Sequence, residues 1–425
     1  MHVAHRRTVT AAFALVLVVA IAGTAGAVGA KTRLASRNGG VPGDGDSESS
    51  ALSANGRFVA FQSYADNFPR SSAVVPRIYL VDTATGRIRL VAKSSAGAPA
   101  NAGSYAASIS NSGRFVAFRS AASNLPAGDG ATSRIYVHDR KSGKTRLVSK
   151  TSAGEPADSS SGPPSISGNG RYVAFSSMAD NLPRGDGILN QVFVHDRKTR
   201  TTKVIARTGS DVPDGHSQSP SLSGNGRIVA FESRSTHLPQ GDGSAMMYAY
   251  DRSTRQVHLV SATSQGLAAD GASFGAIVSA DGRVVTFSSR SSNLPGGDGV
   301  LDQVYAHVLA TGKTRVLSVI TGGGPGDGNS HSSDVSGTGR FVVFQSQSDN
   351  LPGGDGTRVH VYIHDRRRGT TKLLSRSSAG AAGNANSFTP QISADARFTS
   401  FESYASNFPG GGGSMLQVYV RGPVT

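Results

Sequence analysis

The chain has 425 residues, 53 of them glycine, with no cysteine, no tryptophan and a formal net charge of +15. The absence of cysteine excludes disulfides, thiolate metal sites, a thiol nucleophile and a lipid-modified N-terminal cysteine. The excess of cations points to anionic polymers (wall polysaccharide, anionic lipid or nucleic acid) or to solubility alone.

Residues 1–30 read as a signal peptide. His5, Arg6 and Arg7 form a basic start, Ala11 to Ile21 an apolar core, and small residues follow, with Ala27 or Ala30 as the cleavage position. Gly23, Gly26 and Gly29 weaken the alternative, a retained membrane anchor. Cleavage removes Arg6 and Arg7 and leaves +13. No later segment is apolar enough to cross a bilayer. The sequence thus predicts a chain acting outside the cytoplasmic membrane, secreted or in the periplasm or cell envelope.

From residue 31 onward one segment recurs seven times: Gly-Arg or its close variants, an apolar residue, two small or β-branched residues, then Phe-x-Ser. Its arginine falls at Arg57, Arg114, Arg171, Arg227, Arg283, Arg340 and Arg397, in steps of 57, 57, 56, 56, 57 and 57 residues. So constant a period marks a repeat architecture. Each unit parses into four strands. Strand a is short and ends in Ser (Pro164 to Ser167). A turn follows, often Asn-Gly or Asp-Gly, as at Asn55-Gly56 and Asp281-Gly282; such pairs favour a two-residue hairpin with positive φ at both central positions. Strand b (Arg171 to Ser177) leads through a loop carrying Asn-Leu-Pro-x-Gly-Asp-Gly into strand c (Gln191 to Asp196). A basic turn then leads to strand d (Thr202 to Ala206). Four antiparallel strands repeated radially make a propeller blade. Each strand b supplies a Phe (Phe61, Phe118 and their equivalents) and each strand c a Tyr or Phe (Tyr79, Tyr136, Phe193), for packing between blades. The last repeat stops after strand c, whereas Thr32 to Ser36 looks like a lone strand d. The expectation is an all-β, seven-bladed β-propeller over residues 31–425, closed by pairing its N-terminal strand with Gln417 to Val420.

Motifs such as Ser167-Gly168-Asn169-Gly170-Arg171-Tyr172-Val173-Ala174-Phe175 and Val192-Phe193-Val194-His195-Asp196-Arg197 resemble the TolB-like (WD40-like) propeller repeats of bacterial envelope proteins. The resemblance covers about residues 31–425 and implies an extracytoplasmic propeller that binds partners. TolB itself carries an extra N-terminal domain for which this chain has no room, so its partners do not transfer.

Because successive strands are antiparallel, the d–a and b–c loops share one face, the top, where binding is expected. A Ser precedes each strand a (Ser47 to Ser387), with Asp or Asn three residues earlier (Asp44, Asn101, Asp158, Asp214, Asp270, Asp327, Asn384); that spacing suits local side-chain-to-backbone turns. The Gly-Asp-Gly aspartates, Asp129, Asp186, Asp242, Asp298 and Asp355, are the candidate binding residues. They read as turn formers or, less fully, as calcium ligands, because Arg134, Gln191, Gln303 and Gln417 occupy positions where related repeats carry a further Asp. No other cofactor is implied. Only the fourth repeat places His237 where the others have Asn; His216, His237 and Asp242 form the candidate metal or acid–base set. Gly271-Ala272-Ser273-Phe274-Gly275 matches a nucleophile motif, but without its strand–turn–helix setting. The pairs His138-Asp139, His195-Asp196 and His364-Asp365 are adjacent on a strand and point to opposite faces, so they form no dyad.

The reading that follows is a monomeric, non-catalytic binding or scaffold propeller, taking an envelope protein or polysaccharide on its top face, with no nucleic-acid motif. Arg140, Lys141, Lys144, Arg197, Lys198, Arg200 and Arg366 to Arg368 form a bottom rim that could hold an anionic polymer. The alternative is a glycan-active lyase or hydrolase using the top of the central channel.

Overall fold

The computed structural model describes residues 30–71, 74–205 and 213–425; the expected leader, Ala30 apart, lies outside them. Seven four-stranded antiparallel sheets form a ring, and no described residue is helical. Blades are numbered by repeat. In blade 1 strand a is Ser47–Leu52, b Phe58–Ser63, c Arg77–Asp82 and d Arg87–Leu90. Blade 3 has the shortest strand a, Ser165–Ile166, because Pro163 stands where the other six blades have a residue at positive φ, such as Ser49 and Ser219, which the proline ring forbids. Blade 7 joins the two ends of the chain: Lys31–Leu34 pairs with Gln417–Gly422 in the register Thr32↔Arg421 and Leu34↔Tyr419. The expected closure is the observed one.

The apolar core is divided into seven clusters, one at each interface between blades. The repeat explains this. The Phe of strand b lies directly opposite the Tyr or Phe of strand c, as in Phe118↔Tyr136 and Phe175↔Phe193, with ring centroids 5.8 Å apart in both pairs. These rings are fully buried, and each pair fills the space against the next blade.

The a–b turn departs from the expected form. Gly56 N–H bonds Ser53 O, and only the glycine is left-handed, with φ of 67°. The chain makes a four-residue loop, Ala54 to Arg57, with the glycine third, closed by the Ser53 N–H on Phe58 O, rather than a two-residue hairpin. The reason is local. Asn55 Oδ1 accepts the Ser53 hydroxyl and the Arg57 N–H, which holds Asn55 in the ordinary region, and Ser53 Oγ accepts the Phe58 N–H. A Cβ on Gly56 would meet Phe398 of the adjoining blade at 2.4 Å.

At the bottom of the ring, the repeated arginine clamps the b–c hairpin in five blades. Arg57–Asp82, Arg114–Asp139, Arg171–Asp196, Arg227–Asp251 and Arg340–Asp365 lie 2.6–3.0 Å apart. In repeat five, which lacks that Asp, Arg283 reaches only to 4.0 Å of Asp281. Three cations expected on an anion-binding rim, Arg140, Arg197 and Arg366, are instead parts of the ring, and Arg252 joins them. Each of the four donates to a carbonyl of its own blade's a–b turn. Arg140 also stacks over Phe58 at 3.9 Å and Arg197 over Phe115 at 4.3 Å.

Candidate ligand-binding face

The top loops are held by a reciprocal clasp. Asp270 Oδ1 accepts the Ser292 N–H at 2.7 Å, while Asn293 Nδ2 donates to Ala268 O at 2.9 Å. The same exchange links Asp158 with Asn181 and Asn384 with Asn407. The repeated Asx therefore does not form the local turn expected from its spacing to Ser; it ties the d–a loop to the b–c loop of the same blade. Its Ser starts strand a, and Ser273 Oγ bonds Ser289 Oγ at 3.0 Å in a buried pair. That contact gives Ser273 a packing role.

The Gly-Asp-Gly aspartates stand at five separate loop tips. Each turns its carboxylate onto its own loop: Asp129 accepts the Ala131 and Thr132 N–H, Asp186 those of Ile188 and Leu189, and Asp298 those of Val300 and Leu301. Asp242 accepts from Ser244, and Asp355 from Thr357 and Arg358. The N–H groups of Leu301 and Val300 hold the Asp298 carboxyl below the usual range. In blade 2 the Arg134 guanidinium lies 3.0 Å from Asp129, and in blade 6 Arg358 meets Asp355. A cationic side chain thus stands at both of these carboxylates.

His216, His237 and Asp242 have separate partners. His216 Nδ1 accepts the Asn190 N–H at 3.1 Å. This is the contact that Asp46, Ser160, Asn329 and Asn386 make in their own repeats, each receiving an N–H from the start of the preceding strand c. His237 Nε2 stands 3.6 Å from Asp214 Oδ2, and Asp242 stays on its own turn. Among the described residues no group of three or more His, Asp or Glu could hold a metal ion.

Two positions on the top face vary between repeats and remain accessible. One is the second residue of strand a: Glu48, Tyr105, Gln218, Phe274, His331 and Phe388 are half-buried. The other follows Phe-x-Ser: Tyr64 and Met178 are exposed, as are Arg234, Arg290 and Gln347. Blades 1 and 7, which meet at the closing seam, both carry tyrosine there (Tyr64, Tyr404). Phe388 packs edge-on against Tyr404 with centroids 6.4 Å apart, and the Arg119 guanidinium lies over Tyr105 at 5.6 Å. Asp46 and Glu48 lie close enough to raise the hydroxyl pKa of both Tyr64 and Tyr404, after burial. The sequence reading passed over these residues. Their signal was departure from the repeat, as for His237, but at two positions outside the conspicuous loop motif.

Below this rim runs the central channel, lined by strand a of all seven blades, with a cavity of about 460 Å³. Its wall is mostly Ala, Ser, Pro and aliphatic side chains. Serines bridge the blades here: Ser108 Oγ accepts the Ile166 N–H, Ser165 that of Leu222 and Ser221 that of Val278. Asp334 does the same for Ile392. At the seam, Glu402 Oε1 accepts the Ser49 N–H at 2.5 Å. Gln345 makes the equivalent bond to Thr389 at 2.8 Å. Burial pushes the Glu402 carboxyl up to about 7.

No protein-family model matches the chain, and no curated protein matches it. Solved structures do. The β-propeller domain of the Trilobed protease from Pyrococcus furiosus aligns at 11% identity and TM-score 0.56, over 88% of this chain and 95% of that one. An oligogalacturonate lyase in complex with manganese aligns at 13% and 0.55, over 88% of each chain. TolB from Acinetobacter baumannii aligns at 17% and 0.43, over 81% of this chain and 67% of that one. This chain is a β-propeller. At such identities the likeness is one of fold.

Proposed function

We propose that this chain is a non-catalytic binding propeller of the cell envelope or secreted space, taking a polysaccharide or protein on its top face beside the closing seam. One observation carries the reading. On the top face the side chains that repeat are occupied within the scaffold, in clasps and turns, whereas those that vary and stay accessible gather at the channel mouth. Tyr64, Tyr105, Phe388 and Tyr404 offer aromatic faces on which the apolar side of a sugar ring or a partner side chain can pack. Glu48 and Asp46 add oriented acceptors. The test is capture from envelope fractions and binding to a glycan panel, each with and without chelator. The expected result is a retained partner, insensitive to chelator, whose affinity falls at least about tenfold in Tyr64→Ala/Tyr404→Ala.

The alternative, a glycan-active lyase or hydrolase, is favoured by one group. Glu402 is held near neutrality beside the mouth, as a general acid or base requires. Against it, Glu402 makes the same inter-blade bond as Gln345. Turnover of any panel member that Glu402→Gln abolishes, together with no captured partner, would reverse the ranking.

A further inference from the structure

The outer wall of the ring is built from the seven d strands, and its charge has one sign. These strands hold nine lysines and arginines and no Asp or Glu. All nine are exposed, because strand d alternates inward and outward and the cations take the outward positions, as in Lys31–Leu34 and Arg87–Leu90. Six blades contribute: Arg33, Arg89, Arg146, Lys203, Arg315 and Lys372 represent them, and the fourth presents His258. None of the nine forms an ion pair among the described residues. Nearby cations feel the field. Burial first, then Arg200 and Arg146, pulls the Lys150 ammonium below its ordinary value, and burial, then Arg70 and Arg89, does the same to Lys93.

Strand d is the edge of every sheet, and charge on an edge prevents sheet-to-sheet aggregation. That need is met by either sign or by a mixture. Carrying only cations adds self-repulsion around the whole circumference, so the bias in sign calls for a further reason. Grooves between blades open onto the same wall. One, of about 370 Å³, is bordered by Lys203, Arg252 and Arg255.

We infer that the outer wall is a second binding surface, a belt that takes a flexible linear polyanion wrapped around the ring. The geometry selects the partner class. A flat anionic membrane would meet one sector of a belt that runs round the ring. Duplex DNA is too stiff to follow so tight a curve without a large bending cost. Single-stranded nucleic acid is held by aromatic stacking, and the outward positions of strand d carry no Phe or Tyr. A chain of carboxylates or phosphates needs only point charges at intervals. The two sources share this chemistry and are separated by the probe.

The experiment titrates the protein with polygalacturonate and with long-chain polyphosphate at increasing salt. Arg89→Ser/Arg146→Ser/Arg315→Ser removes three belt cations from three blades. Lys141→Ser/Lys198→Ser/Arg367→Ser removes three equally exposed cations from the c–d turns. The belt variant should lose at least about tenfold in affinity for the polymer that binds, and its log–log salt slope should fall by about two. The turn variant should stay within about twofold, and Arg→Lys at the three belt sites should restore binding, which excludes misfolding as the cause. Equal losses in both triple variants, no binding of either polymer at physiological salt, or equal belt-dependent affinity for duplex DNA would each overturn the proposal.

Discussion

Two kinds of buried ionisable side chain give this ring opposite responses to pH. His138, His195, His307 and His364 lie on strand c, with Nδ1 2.9–3.0 Å from a strand d threonine. Each threonine hydroxyl donates to a carbonyl of the preceding blade, as Thr145 does to Lys93 O. Its hydrogen is therefore used, and the imidazole must donate from Nδ1. Burial pushes all four down to about 4. A histidine lowered from 6.5 contributes stability that is present above about 6.5 and lost as pH falls through about 4. Each can cost on the order of 3 kcal/mol once the unfolded chain holds the extra proton. Nitrogen-detected NMR should find four Nδ1–H imidazoles that stay neutral to pH 5, and a melting temperature that falls below pH 6; imidazoles titrating near 6.5 would refute the relay. Glu402 has the opposite sign. Its folded value, about 7, lies above the ordinary 4.5, so its contribution is present below about 4.5 and lost as pH rises through about 7. Glu402→Gln keeps an oxygen for the Ser49 N–H, as Gln345 does for Thr389. The variant should melt higher than the parent at pH 8, by roughly 3 kcal/mol of stability at most, and no higher at pH 4. A variant less stable at pH 8 would mean that the carboxylate itself is needed.

Hairpins and loops show how far a repeat can be read without coordinates. The period exposed the strands and the Phe–Tyr pairs, and the Arg–Asp clamps follow from it, because alternation fixes which residues share a face and antiparallel pairing fixes which ends meet. The clasp between top loops stayed hidden although its signal was present. Asp270 and Asn293 are separated by 23 residues, as are Asp158 and Asn181. In a strict repeat, however, every recurring pair keeps a constant spacing, so constancy cannot distinguish contact from coincidence. Among the described residues His216, His237 and Asp242 form no metal-holding group, and the reason their type suggested one is related. His216 entered the set by residue type, yet it does the work of Asn329 and Asn386, which a residue-type comparison does not reveal. The clasp can be tested in blade 5. Asn293→Ala removes the bond to Ala268 O and one of the two acceptors of the Asp270 N–H, the other being Ser291 Oγ. It should cost about 1–2 kcal/mol in denaturant unfolding, with little change in the distant Phe175–Phe193 pair. A cost below about 0.3 kcal/mol would make the clasp an incidental contact.

At the scale of the whole ring, symmetry explains both what the sequence disclosed and what it withheld. Seven similar units made the architecture legible, since each apolar cluster lies between two blades and only a closed circle buries them all. The same symmetry obscures the proposed binding face, where information resides in the few residues that differ, such as Tyr64 and Glu48. Closure depends on one short strand. Thr32, Leu34, Ala35 and Ser36 are buried. Thr32 Oγ1 donates to Arg376 O and accepts from Arg421, and Ser36 Oγ bonds Gln417 Oε1 at 2.5 Å. In this blade Arg421 takes the place of the histidine relay. It too is 3% exposed, and burial pulls its guanidinium down to about 10. Deleting residues 31–36 would leave that guanidinium without Thr32, uncover Tyr419 and open an edge on Gln417–Gly422. The expected cost is on the order of 4 kcal/mol, from one buried leucine and a row of lost backbone bonds, seen as a lowered melting temperature and concentration-dependent aggregation. A synthetic peptide spanning residues 30–38 should restore the melting temperature saturably, because the seam is held by noncovalent pairing alone. An unchanged melting temperature after the deletion would show that the ring holds without its closing strand.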